Sequence, residues 1–395
     1  MTSVVEATFW TTVVALAYTF VGYPALVWAV ARLRPRPVSR ADVQPDVSVL
    51  IAAHNEAAVI GARIENCLAL DYPADRLEIV VASDGSTDAT VEIARRYERA
   101  PHPGPAVRVV VYPWRRGKPS ILNDTVPQCH GEIVVLADAR QRYDPDAVRR
   151  LAENFADPRV GAASGELTLL NEAGVAVGDG VGAYWRYEKL LRRSESALDS
   201  TIGATGAIYA IRRRLFEPIL ADTLLDDVLI PVRIARRGFR VVFDARARAW
   251  DRAAITARQE YTRKVRTIGG VAQLFTRERW LLVPTHRLWL QAVSHKALRL
   301  VAPFLMVAAL GTSAILATRS RLHAAALAAQ LGFYGAALVG GLLRGGGGRI
   351  ARLLAVPYAF CLLNGTTVVA LARFATGRHT VQWTKAVDAP EVKAA

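Results

Sequence analysis

The chain has 395 residues, 52% of them hydrophobic, and carries 50 Lys and Arg against 35 Asp and Glu, a formal net charge of +15. This is too long for one ordinary soluble domain and short for three, and the apolar share is at the high end for a soluble protein. Cys67, Cys129 and Cys361 show neither CxxC nor ligand spacing, which argues against a disulfide framework and a zinc site and suits a reducing compartment.

Thr8 to Val30 contains no charged residue and is long enough to cross a bilayer as a helix, with Pro24 tolerable inside it. It lacks a basic n-region and a small-residue cleavage site, so a retained anchor is expected rather than a signal peptide. Arg32, Arg34, Arg36 and Arg40 follow, and by the positive-inside rule they place the next domain in the cytoplasm. Arginines gather beside apolar segments here and again from Arg258 through Arg279, so the excess charge points to lipid headgroups and away from nucleic acid.

Three apolar, β-branched runs then break into polar loops. Val47 to Ala53 ends in His54-Asn55-Glu56, Ile79 to Ala82 ends in Ser83-Asp84-Gly85-Ser86-Thr87-Asp88, and Ile133 to Leu136 ends in Ala137-Asp138-Ala139-Arg140. Each reads as a strand delivering polar groups to one sheet edge, where open α/β sheets bind nucleotides. Trp280 to Leu290 mixes aromatic, basic and apolar residues over a length too short to span, and reads as an interfacial helix. Leu300 to Ala317, Ala324 to Leu343 and Leu353 to Leu371 are three further apolar stretches. The middle one is the least apolar, and Gly345 to Gly348 marks a flexible connection after it. If all three cross, Arg373, Arg378 and Lys385 fall on the side that the positive-inside rule disfavours, so the number of crossings stays open. The expected division is an anchor and basic linker over 1–45, a catalytic domain over 46–270, interfacial helices over 271–296 and a membrane region with a tail over 297–395.

The strand-end motifs, followed by Gly117-Lys118 before Leu122-Asn123, resemble the family 2 glycosyltransferases of GT-A fold. The resemblance continues through Val160 to Gly165, Gly203 to Ala210, Leu225-Asp226-Asp227 and the basic stretch from Arg263 to Arg266, and covers roughly residues 46 to 270. It rests on the order and spacing of the pieces together. It implies a Rossmann-like mixed sheet joined to transmembrane helices, and an enzyme moving a sugar from a nucleotide-diphosphate donor, a UDP-sugar first of all, to a lipid-linked or membrane-associated saccharide.

The resemblance assigns roles residue by residue, and each has a plainer structural reading beside it. Asp84 and Glu56 would bind the nucleoside; otherwise Asp84 is a turn residue and Glu56 a first-turn helix charge. Asp88 reads as the N-cap of a helix from Ala89 to Arg99. Lys118, with Gly117 allowing close backbone approach, would hold the diphosphate, where the plainer reading is a solvated charge run. Asp138 opens the position of the metal-binding DXD motif and implies Mg2+ or Mn2+, but Arg140 stands where the second aspartate is expected; alternatively Asp138 pairs with an arginine. Asp227 would be the general base of an inverting displacement, with Asp226 raising its pKa; alternatively it caps the helix through Ile230 to Arg237. Arg266 suits either a diphosphate or an anionic lipid. Arg263 and Thr267 replace the glutamine and tryptophan of the Gln-x-x-Arg-Trp motif in processive members, although Tyr184, Trp185 and Tyr187 could offer another sugar platform. Thr205 and Gly206 would sit beside the sugar or form only a small-residue turn. His295 and Lys296 read as interface anchors. The alternatives to a single-transfer enzyme are a processive polysaccharide synthase and, from another class, a non-catalytic sugar-nucleotide sensor.

Overall fold

A computed structural model of the chain describes residues 2–99, 104–170, 181–252, 257–343 and 349–378. Its centre is an eight-stranded mixed sheet in the order β3-β2-β1-β4-β7-β6-β8-β5. The strands are β1 (Val47–Ala53), β2 (Leu77–Asp84), β3 (Ala106–Tyr112), β4 (Ile133–Asp138), β5 (Arg142–Tyr143), β6 (Val160–Leu170), β7 (Ile208–Arg212) and β8 (Arg240–Arg252). The first four are mutually parallel, and β7 is antiparallel to both β4 and β6.

The central strands β1, β2 and β4 are largely apolar without alternation because both sheet faces are covered there. Val49, Ile51, Ile79, Val81 and Val135 pack on one side with Ile60 and Ile64 of the helix Ala57–Leu68. Leu50, Val80, Val134 and Leu136 pack on the other with Ile121 and Leu122 of the helix Lys118–Thr125 and Ile230 and Ile234 of the helix Asp226–Arg236. Each such side chain taken fully out of water contributes about 1.5–3 kcal/mol before conformational entropy is counted. Two rigid layers result, and they fix where the strands end.

The chain leaves β1 toward β2 and β3 and returns on the other flank as β4, so the topological switch lies between β1 and β4. Register places Asp138 opposite Ala52 and Ser83 opposite Ala53, which brings the ends of β1, β2 and β4 to one edge. Ligands of open α/β sheets sit at such a crevice.

Among the described residues, four helices are long and apolar enough to cross a membrane: Ser3–Leu33, Trp289–Leu316, Arg321–Leu342 and Arg349–Ala375. The expected weak middle stretch is thus as complete a helix as its neighbours. The first helix packs along Leu298–Leu316, and Arg349–Ala375 packs along both Arg321–Leu342 and the amphipathic helix Ala257–Arg277. The helix Val181–Leu198 packs against Tyr23–Leu33.

The interfacial helix expected over Trp280 to Leu290 is corrected. A 3-10 turn, Arg279–Leu282, is followed by non-helical residues up to Trp289. Leu281 and Leu288 are fully buried in the second sheet-face core, so the segment is stapled to the sheet domain. The expected edges at 270 and 296 both fall inside helices, Ala257–Arg277 and Trp289–Leu316.

Candidate active site

The loop after β2 turns sharply at Gly85, whose φ of +60° suits a residue without Cβ. A Cβ there would meet the Arg115 nitrogen at 2.4 Å. The close approach lets Asp84, 5% exposed, hold the loop before Lys118: Arg116 N–H donates to Oδ1 at 2.6 Å and Gly117 N–H to Oδ2 at 2.8 Å. The Asp84 carboxylate is therefore first an anchor for that loop. Asp88 is a cap, its Oδ1 accepting the Thr90 N–H at 3.0 Å and its Oδ2 the Ala57 N–H at 3.2 Å, so it ties two helix starts together.

Gly117 (φ +89°) hands the chain into the helix Lys118–Thr125 and aims Lys118 inward. Its Nζ donates to Asp138 Oδ1 at 2.8 Å and lies 3.3 Å from Asp226 Oδ2, with the side chain 6% exposed. Burial opposes the charge, but Asp138, Asp226 and Asp227 outweigh it and hold the ammonium above the ordinary lysine range. Removing Lys118 from this set is costly, because it strands the carboxylates around it.

Asp226 and Asp227 open the helix Asp226–Arg236, where its dipole favours them. Asp227 is pushed up to about 6, by burial and by Asp226, against Lys118 and Arg266, with Asp138 adding to the rise. Asp226 Oδ2 is buried and Tyr209 faces it, yet neither that oxygen nor the Tyr209 hydroxyl forms a hydrogen bond of regular geometry. Burial and the same carboxylates keep Tyr209 protonated, its ionisation pushed well up.

The loop between the helix Val181–Leu198 and β7 closes the other side. Ala204 N–H donates to the Asp227 carbonyl at 2.8 Å, and a Cβ on Gly206 would lie 2.8 Å from Asp227 Oδ2. Thr205 N–H donates to Ser164 Oγ at 2.9 Å, and Arg192 Nη1 donates to Thr205 Oγ1 at 2.6 Å. Arg192 was not singled out in the sequence, and Ser164 was marked only as part of the Val160 to Gly165 piece; their common partner, Thr205, is distant in the chain.

Arg140 resolves into a pair with Glu56: its Nε and Nη2 each lie 3.2 Å from Glu56 Oε1. Glu56 is 6% exposed and Arg140 about two-fifths exposed. Of the expected residues, the structure brings together Lys118, Asp138, Asp226 and Asp227, with Gly206 against Asp227 and Arg266 near enough to bias it. Glu56 and Asp84 lie at the adjacent strand ends. The side chains of Tyr184 and Trp185 lie outside the described residues.

Three partly buried carboxylates thus gather around one buried lysine at the sheet switch point. Residues 45–280 match the family described as glycosyltransferase like family 2. The chain belongs to that family. Its fold is GT-A: over 95% of this chain and 100% of the other, it superposes with a TM-score of 0.70 and 25% identity on the mannosyltransferase PcManGT of Pyrobaculum calidifontis, solved with GDP-Man and Mn2+. It is also similar to the poly-beta-1,6-N-acetyl-D-glucosamine synthase of Staphylococcus epidermidis, 24% identical over 61% of this chain and 58% of the relative. A third likeness is to the beta-monoglucosyldiacylglycerol synthase of Synechocystis sp., 36% identical over 33% of this chain and 27% of the relative. The chain thus covers well under two thirds of the length of these two curated relatives.

Proposed function

We propose that this family 2 glycosyltransferase moves a hexose from a nucleotide-diphosphate donor, first of all a UDP-sugar, to a lipid-linked or membrane-associated saccharide, with inversion. The observation that carries the reading is the placing of Asp227, a partly buried carboxylate at the start of the helix Asp226–Arg236, beside Asp226 and against Gly206, where burial and Asp226 push it up to about 6. A base near neutrality is largely ionised at pH 7 yet basic enough to accept a proton. The acceptor oxygen attacks the anomeric carbon, the bond to the diphosphate breaks, and the acceptor proton passes to Asp227. Only one base is needed for such a displacement, unlike the carboxylate pair of a hydrolase. Both curated relatives carry "beta" in their names, the anomer that inversion of an α-linked nucleotide sugar yields.

On this reading Lys118 and Arg266 would meet the diphosphate, and Glu56 and Asp84 would meet the nucleoside through lone pairs left over from their internal bonds. For a divalent cation such as Mg2+ or Mn2+ the protein offers little: among the described residues no group of three or more His, Cys, Asp or Glu is placed to hold one. Asp138 fits the part nonetheless. Lys118 engages one of its oxygens, and the side chain keeps 26% of its surface exposed toward the sheet edge. A bound cation would neutralise diphosphate charge there, its remaining ligands being phosphate oxygens and water. Arg140, tied to Glu56, does not replace the missing aspartate.

The apolar helices and the basic flank support an integral membrane protein with the catalytic domain in the cytoplasm. A panel of nucleotide sugars offered to the protein in lipid, with the product anomer read by NMR, tests this reading. A β-linked product from one α-linked donor is expected; an α-linked product would contradict the single displacement.

A further inference from the structure

The helix Val181–Leu198 carries Glu188, Arg192 and Glu195 along one stripe, since side chains three and four residues apart are neighbours, about 5–6 Å between Cβ atoms. A guanidinium there ordinarily pairs with the carboxylates on either side of it. Arg192 does not: among the described residues it makes no ion pair, and its Nη1 donates to the neutral Thr205 Oγ1 at 2.6 Å. Both glutamates are taken by His295, which arrives on the helix Trp289–Leu316. His295 is 1% exposed and does not face lipid as an anchor would; its Nδ1 lies 2.8 Å from Glu195 Oε1 and its Nε2 3.1 Å from Glu188 Oε2. The Tyr23 hydroxyl adds a bond to Glu195 Oε1 at 2.7 Å, and Arg299 pairs with Glu188. Glu195 Oε2 is buried and has no hydrogen-bond partner among the described residues. It is an acceptor that the guanidinium three residues before it would satisfy if the imidazole let the carboxylate turn.

The other end of this arrangement is the loop beside Asp227. Thr205 N–H donates to Ser164 Oγ, Ala204 N–H donates to the Asp227 carbonyl, and Gly206 abuts Asp227 Oδ2. The hydroxyl of the buried Tyr143 holds the same loop through the Ala207 carbonyl at 2.8 Å. Arg192 is the tether that ties this loop to the helix packed on Tyr23–Leu33.

We propose that His295 is a positioning residue for sugar transfer: by occupying Glu188 and Glu195 it keeps them off Arg192, whose guanidinium then holds the Thr205–Gly206 loop against Asp227. Its part in turnover rests on the transferase reading; the hold on the loop does not. Without the imidazole, Arg192 exchanges a neutral hydroxyl for a carboxylate, the stronger partner, and the loop loses its tether.

The test follows the loop by amide hydrogen exchange and transfer by turnover, on the full chain in lipid nanodiscs. His295→Leu should speed exchange of the Ala204 and Thr205 amides about tenfold and lower kcat about tenfold, with the donor KM unchanged. Arg192→Met should do the same, and the two together should be no worse than either alone, because they act in series. The discriminating variant is His295→Leu combined with Glu195→Gln. Removing the competing charge should return Arg192 to Thr205 and bring amide protection and kcat to within about threefold of wild type, whereas a merely structural loss would deepen with a second buried change. Nucleotide binding shows that each variant is folded; where His295→Leu fails that control, His295→Asn, too short to span both carboxylates, is read in its place. Unchanged exchange on loss of His295, additive losses in the His295 and Arg192 pair, or no rescue by Glu195→Gln would each overturn the proposal. A loop that responds as expected in a protein that turns over no donor would leave the hold on the loop intact and count against the transferase reading alone.

Discussion

At the scale of single residues, burial and Asp226 act on Asp227 in the same direction, and two cations only partly offset them. Because the base must be ionised, kcat/KM should fall as pH drops through about 6, and Asp226→Asn should move that limb to lower pH. A pH–rate profile with the limb unmoved would mean that Asp226 does not tune its neighbour. The sign for stability follows from the same shift. Asp227 binds a proton more tightly in the folded state than at its ordinary value of 3.8, so stability is lost as pH rises from about 4 to about 6. Asp227→Asn should therefore raise the unfolding free energy at pH 7 by about 1–3 kcal/mol, seen as a higher Tm. Asp84 behaves differently. Asp84→Ala leaves the Arg116 and Gly117 N–H groups without their acceptor and should lower stability by roughly 1–3 kcal/mol while weakening nucleotide binding; calorimetry showing binding lost with Tm unchanged would confine it to a ligand contact.

At the scale of elements, the parallel strands were legible because each apolar run stops at a polar loop, and Asp84 and Asp138 lie where those runs end. The helix opening at Asp226 and the turn at Gly117 were legible for the same kind of reason, a local change of pattern. What was not legible needed partners far away in the chain. Arg140 finds Glu56, Asp84 finds the Arg116–Gly117 backbone, and His295 finds Glu188 and Glu195. β8 was missed because its charges hide its periodicity. They are satisfied at the strand's flanks, Arg240 by carbonyls of Arg36, Ser196 and Asp199 and Asp244 by Arg246 and Asn154. The closeness of the 203–207 loop to Asp227 gives a sharp test. Gly206→Ala puts a methyl against Asp227 Oδ2 and should reduce kcat by one to two orders of magnitude with nucleotide affinity kept. A variant with normal kcat would show that the loop has room to retreat.

At the scale of the whole molecule, the catalytic domain is fastened to the membrane helices at three places: the helix Val181–Leu198, the 279–288 segment and the helix Ala257–Arg277. On the proposed reading, that fastening would set the depth at which a membrane-borne acceptor meets the site. Removing divalent cations with EDTA should abolish turnover, and added Mn2+ or Mg2+ should restore it, because Lys118, already shared between Asp138 and Asp226, and Arg266 alone leave the leaving diphosphate underneutralised. Full turnover in EDTA would assign that charge to Lys118 and Arg266. The most direct measurement of all is release of nucleoside diphosphate by the lipid-reconstituted protein with its best donor and acceptor, wild type against Asp227→Asn. The expected result is a loss of about 10²–10⁴-fold in turnover with donor affinity unchanged. Near-normal turnover by Asp227→Asn would contradict its role as the base.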